Sequence, residues 1–150
     1  MDQESIDVAA PPEQVWDLLA DVTQMGRWSP ECVSCTWLDG ADAPSVGARF
    51  KGKNKHGFAS WSTVSAVTKA ERGSVLEWQV DESRMVWGYR FEPTPSGGTK
   101  VTEYRDKLAD PPLYVRLVQR SGLIGRNREA LMVKGMQETL VRVKAAAESS

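Results

Sequence analysis

Between Glu31 and Leu108 the apolar residues recur every second position in short runs, and each run is cut by residues that favour turns. This pattern constrains the fold more than any other in the chain. The connections are too short for helical crossovers, so neighbouring strands must run antiparallel. The spacing predicts strands near 32 to 38, 47 to 54, 58 to 69, 75 to 80, 85 to 92 and 99 to 108. On the near side, Ile6 and Val8 alternate with polar neighbours in a further strand over Gln3 to Ala9, which Pro11-Pro12 stops. Those prolines suit a first helical turn, and Val15, Leu18, Leu19 and Val22 follow at helical spacing. A second short helix is expected from Thr23 as N-cap towards Trp28, ended by Ser29-Pro30. Beyond Leu108 the helical period returns. Asp110-Pro111-Pro112 signals a long terminal helix, Gly122 and Gly125 interrupt it, and Leu131, Met132, Met136, Leu140 and Val143 form its stripe. Residues Ala145 to Ser150 are expected to fray. The order is that of an α+β domain.

A length of 150 residues fits one domain, 1–150, and a net charge of -1 argues against a nucleic-acid partner. No apolar run is long enough to form an integral membrane segment, and Met1 to Ser5 lack the features of a signal peptide, so a cytoplasmic location is expected. His56 is the only histidine, which removes mechanisms that need a histidine pair and leaves no metal site and no cofactor to assign. Six tryptophans are many for so small a domain, and such rings line either a core or a cavity.

The segments I-D-V-A-A-P-P-E-Q-V-W-D-L-L-A-D-V, W-S-P, V-G-A-R-F, W-S-T-V, W-G-Y-R-F-E-P-T-P-S-G-G-T-K-V-T-E and G-M-Q-E-T-L resemble the START-like (SRPBCC) superfamily. Within it they are most similar to the bacterial polyketide cyclase/dehydrase and lipid-transport family, over about Ile6 to Ala146. The resemblance implies a helix-grip (START/Bet v 1-like) fold, in which a seven-stranded antiparallel sheet wraps a long C-terminal helix and two short helices follow the first strand. It also implies a cavity between sheet and helix. Members bind sterols, phospholipids, plant hormones or polyketides, and some are aromatase/cyclases, so the fold alone does not choose a function. The glycine-rich loop of plant members is not found here.

Alternation assigns faces. Met85, Trp87, Tyr89 and Phe91 share one face, as do Leu76, Trp78 and Val80, and Phe50, Gly52 and Asn54 oppose the basic set Arg49, Lys51, Lys53 and Lys55. On the long strand, the bulkier set Trp61, Thr63, Ser65 and Val67 is taken as inward. Val101 inward places Glu103 and Arg105 on the same face, with Tyr104 opposite. The plainer reading makes Glu103 and Arg105 an ion pair near an open end of the sheet; the sharper one puts a carboxylate inside a cavity. Cys32-Val33-Ser34-Cys35 has C-x-x-C spacing, but positions three apart on a regular strand point to opposite faces, so the thiols are expected not to meet. His56 falls in a hairpin turn and is expected to be exposed, and the basic run reads as a solvated edge strand.

The leading expectation is a binder of a hydrophobic small molecule, lipid or polyketide-like, as a monomer or homodimer. Its candidate ligand-binding residues are Trp28, Asn54, Trp61, Trp78, Trp87, Tyr89 and Glu103, with Leu117, Leu131 and Met136 from the helix. The catalytic residues of any reaction are unknown. The alternatives are a polyketide aromatase/cyclase with Glu103 or a tyrosine handling protons, and an interaction module with a vestigial cavity.

Overall fold

A computed structural model describes residues 2–107 and 128–149. Its order is β1 (Asp2–Val8), α1 (Pro12–Ala20), a 3-10 helix (Val22–Arg27), β2 (Cys32–Trp37), β3 (Arg49–His56), β4 (Ala59–Glu71), β5 (Val75–Val80), β6 (Met85–Pro93), β7 (Thr99–Lys107) and α2 (Arg128–Glu148). The seven strands form one sheet in the order β1-β7-β6-β5-β4-β3-β2, antiparallel at every step. From β2 to β7 each strand pairs with the next in sequence, and β1 closes the far side by pairing with β7, Ile6 opposite Val101. The basic strand β3 is therefore not an edge. It lies one place in from β2, with Arg49, Lys51, Lys53 and Lys55 all exposed on its outer face.

Local chemistry explains the helix starts. Pro11 and Pro12 take the first-turn positions where no amide is needed, and Glu13 places a negative charge at the positive end of α1. The 3-10 helix is capped by Asp21 rather than Thr23, because the Asp21 carboxylate accepts the Thr23 amide at 3.1 Å and also its hydroxyl. The core lies between the sheet, α1 and α2, with Val15, Leu76, Val101, Leu140 and Val143 almost wholly buried. The end of α2 is pinned rather than frayed. Ala147 is buried, and the Glu148 carboxylate accepts the Ala9 amide at 2.8 Å and the Lys144 ammonium at 2.6 Å. The expected helix start at Asp110 and the break at Gly122 and Gly125 lie outside the described residues.

Two close approaches fix the strands that carry the site. Strand β2 bulges between Cys32 and Ser34, and the Val33 carbonyl of that bulge sits against Gly26, where a Cβ would fall 2.6 Å from its oxygen. On the outer face of β6, a Cβ at Gly88 would fall 2.5 Å from the Tyr104 ring. The missing side chain lets that ring lie flat against the sheet, with the Arg90 guanidinium 4.8 Å from its centroid and its hydroxyl donating to Glu77. Tyr104 faces outward as alternation requires, yet it is buried.

Candidate functional site

The inner face of the sheet carries a succession of ring contacts that runs from β2 to β6. Trp37 meets Phe50 at 5.7 Å, Phe50 meets Trp78 at 5.8 Å, Trp78 meets Tyr89 at 5.9 Å and Tyr89 meets Phe91 at 6.4 Å between centroids. Between these rings and α2 lies a cavity of about 700 Å³. Phe50, Trp78 and Tyr89 form part of its wall, Trp61 and Trp87 extend it, and Met132, Met136 and Thr139 face it from α2. The size falls in the range of small-molecule sites, and the wall mixes these rings with a sizeable polar set that includes Asn54, His56, Thr63, Ser65, Glu103 and Arg105.

The polar groups have distinct environments. Asn54 donates to the Thr63 hydroxyl at 3.3 Å across β3 and β4. Glu103 is 4% exposed and hydrogen-bonded to Tyr89, and its Oε1 is buried with no hydrogen-bond partner among the described residues. Burial pushes the Glu103 carboxyl up to about 8, against a smaller downward effect of the Tyr89 hydrogen bond. Burial, and next the negative charge Glu103 would carry, also raise the Tyr89 phenol well above its usual value. At neutral pH the pair is thus predominantly uncharged, a neutral acid beside a neutral phenol. Arg105 is 5% exposed; its Nε donates to Asp2 of β1 at 2.7 Å and its guanidinium lies 5.7 Å from the Trp87 ring centroid. The plainer expectation of a Glu103–Arg105 ion pair near an open end of the sheet is not what forms: β7 is an inner strand with β1 beside it, Arg105 pairs with Asp2 of β1, and both side chains are buried.

Of the candidate residues, Asn54, Trp61, Trp78, Trp87, Tyr89, Glu103 and Met136 come together on the cavity wall. Trp28 does not join them. It is 2% exposed within the hydrophobic core, where it caps the 3-10 helix, lies under the Arg27 guanidinium and gives its carbonyl to Arg142 of α2. Leu117 and the Leu131 side chain lie outside the described residues.

Sequence reasoning missed several wall residues. His56, expected to be exposed, is half-buried and faces the cavity, because the strand continues through it before Gly57 turns the chain. Cys32 and Cys35 both face the cavity with their sulfurs 3.1 Å apart, and the Cys35 sulfur lies 3.8 Å from that of Met25. The expectation that they point apart fails because the bulge turns both Val33 and Ser34 outward. No letter of the sequence marks that bulge except Gly26, whose role appears only in three dimensions. Among the described residues no three His, Cys, Asp or Glu side chains converge on one point, and no helix is long and apolar enough to cross a membrane.

An antiparallel seven-stranded sheet gripping a C-terminal helix over an aromatic cavity defines the helix-grip class. The profile of the family described as polyketide cyclase / dehydrase and lipid transport matches residues 3–148, and the chain belongs to that family. It is similar to a polyketide cyclase-like protein from Corynebacterium glutamicum at 33% identity and a TM-score of 0.65, over 98% of this chain and 90% of that one. Two more distant structures share the fold. The di-domain aromatase/cyclase StfQ of the steffimycin biosynthetic pathway has 17% identity and a TM-score of 0.71, over 99% of this chain and 44% of that one. The protein TTHA0849 from Thermus thermophilus has 15% identity and a TM-score of 0.70, over 98% of this chain and 96% of that one. Curated protein sequences give no match.

Proposed function

We propose that the protein binds a hydrophobic small molecule, lipid or polyketide-like, in the cavity between sheet and helix, and that it does so in the cytoplasm. The observation that carries this reading is the combination of a cavity of about 700 Å³, walled by aromatic rings and polar groups together, with a buried Glu103 oxygen on that wall that has no hydrogen-bond partner among the described residues. A buried acceptor left unpaired costs about 1–3 kcal/mol, which a hydroxyl or amide of a bound molecule would recover. Trp78 and Tyr89 would stack against rings or chains, and the Glu103–Tyr89 pair would orient one polar end.

Native mass spectrometry of freshly purified protein, followed by denaturing extraction, tests this. A released lipid or polyketide is the expected result. A clean apo mass, together with no quenching of tryptophan fluorescence by fatty acids, sterols or aromatic polyketides, would overturn it.

A second reading is favoured by the pair itself, since a carboxyl pushed up to about 8 is poised to exchange protons near neutral pH. In an aromatase/cyclase, Glu103 as carboxylate would remove a proton from carbon flanked by carbonyls, and Tyr89 would donate to the developing enolate. StfQ, named as an aromatase/cyclase, shares the fold. Glu103→Gln separates the readings: a binder keeps its affinity within a few-fold, whereas an enzyme loses turnover while still binding.

A further inference from the structure

The sulfurs of Cys32 and Cys35 are 3.1 Å apart and buried, yet both belong to the cavity wall. Three features hold them there. The β2 bulge puts two residues spaced by three on one face, Gly26 receives the bulge carbonyl where any side chain would collide, and Met25 backs the Cys35 sulfur at 3.8 Å. We propose that Cys32 and Cys35 form a reversible dithiol–disulfide site in the cavity wall, oxidised by a low-molecular-weight disulfide that enters through the cavity. This goes beyond the binding reading and does not depend on which molecule the cavity holds.

The two thiols are unequal, which gives the exchange a direction. A hydrogen bond from Cys35, and more weakly the Ser34 backbone amide, hold the Cys32 thiol below its usual range despite burial. The same contact, together with burial, pushes Cys35 far up. Cys32 as thiolate attacks one sulfur of the small disulfide; that S–S bond breaks and the departing thiolate takes up a proton. Cys32 then carries a mixed disulfide and no charge. Two of the three causes that kept Cys35 protonated, the hydrogen bond to Cys32 and its negative charge, are thereby removed. Cys35 gives its proton to solvent or to the leaving group and attacks the Cys32 sulfur, expelling the second small thiol. In sum, two protein thiols and one small disulfide become one protein disulfide and two small thiols. Closing the bond brings the sulfurs from 3.1 Å to the usual disulfide length of about 2.05 Å, a shift within reach of side-chain rotation.

The test uses the full chain, first reduced and freed of reductant, then equilibrated with oxidised glutathione at graded ratios to reduced glutathione. Intact mass should fall by two hydrogens with no retained adduct, and no thiol should remain for alkylation after unfolding. Excess reduced glutathione should restore both thiols. Cys35→Ser should instead trap one glutathione on Cys32, at a rate roughly tenfold or more above that at Cys35 in Cys32→Ser. Two alkylatable thiols in the wild type after excess oxidised glutathione, or two stable adducts, would overturn the proposal. Faster capture at Cys35 in Cys32→Ser would overturn the assignment of Cys32 as the attacking sulfur. The wild-type mass decides the main question even if a variant fails to fold.

Discussion

Glu103 keeps its proton at neutral pH because the folded chain removes it from water without giving it a positive partner among its principal influences. The folded protein therefore holds a proton that the unfolded chain has already released above the ordinary carboxylate range. Stability must fall as pH rises from about 4.5 towards about 8, and the penalty is complete above that. Glu103→Gln should abolish this decline and be more stable than the wild type at pH 9, by on the order of a few kcal/mol. Urea midpoints across that range check it, and parallel pH profiles for the two proteins would refute it. Gly88→Ala makes a different demand on the same pair of strands. A Cβ 2.5 Å from the Tyr104 ring forces that ring out of its seat between Gly88 and Arg90, at about 1–3 kcal/mol. A denaturant midpoint unchanged from wild type would count against that packing. Alternation along single strands placed Trp78, Trp87, Tyr89 and Glu103 on the correct face, because a pleated strand obeys period two without reference to its neighbours. Trp28 was out of reach of that logic: it follows a 3-10 helix, where the direction of one ring depends on a cap.

At the scale of elements, strand edges and turns were readable wherever glycine and charged residues punctuated the sequence. The expected runs at 75 to 80 and 85 to 92 match β5 and β6 to within a residue. What could not be read is the irregular pairing of β2 with β3. A bulge adds a residue to one strand alone, and nothing in its own six residues announces it. Gly26→Ala tests what holds it. The new methyl would lie 2.6 Å from a backbone oxygen, which cannot rotate away, so either the 3-10 helix or the bulge must move. The expected outcome is a loss of about 1–3 kcal/mol, together with weaker coupling of the two thiols, seen as alkylation rates that converge relative to wild type. Retention of wild-type stability and thiol behaviour would show that the bulge has another cause. The stripe of α2 was legible for the same reason as the strands, but its pinned end was not, because the Glu148 to Ala9 contact joins residues 139 positions apart.

For the whole molecule, six of the seven strands pair in sequence order and only β1 must cross the length of the chain to find β7. Loop closure makes that contact late in folding. Val8→Ala, in a site 2% exposed, should cost about 2 kcal/mol and act mainly by speeding unfolding, whereas Leu76→Ala in β5 should slow folding as well. Chevron measurements distinguish the two, and an equal slowing of folding in both would contradict the order. The fold was legible because local periods and a family resemblance agreed over nearly the whole chain; the cavity's chemistry was less so, because it depends on which strands sit side by side. One consequence of the neutral Glu103 reaches beyond its strand. A guest that brings a positive group near it would displace its proton into the medium, and one that accepts its hydrogen bond would draw more protein into the protonated form. Calorimetry of such an uptake would then return a different heat in each buffer, with the difference counting the protons exchanged.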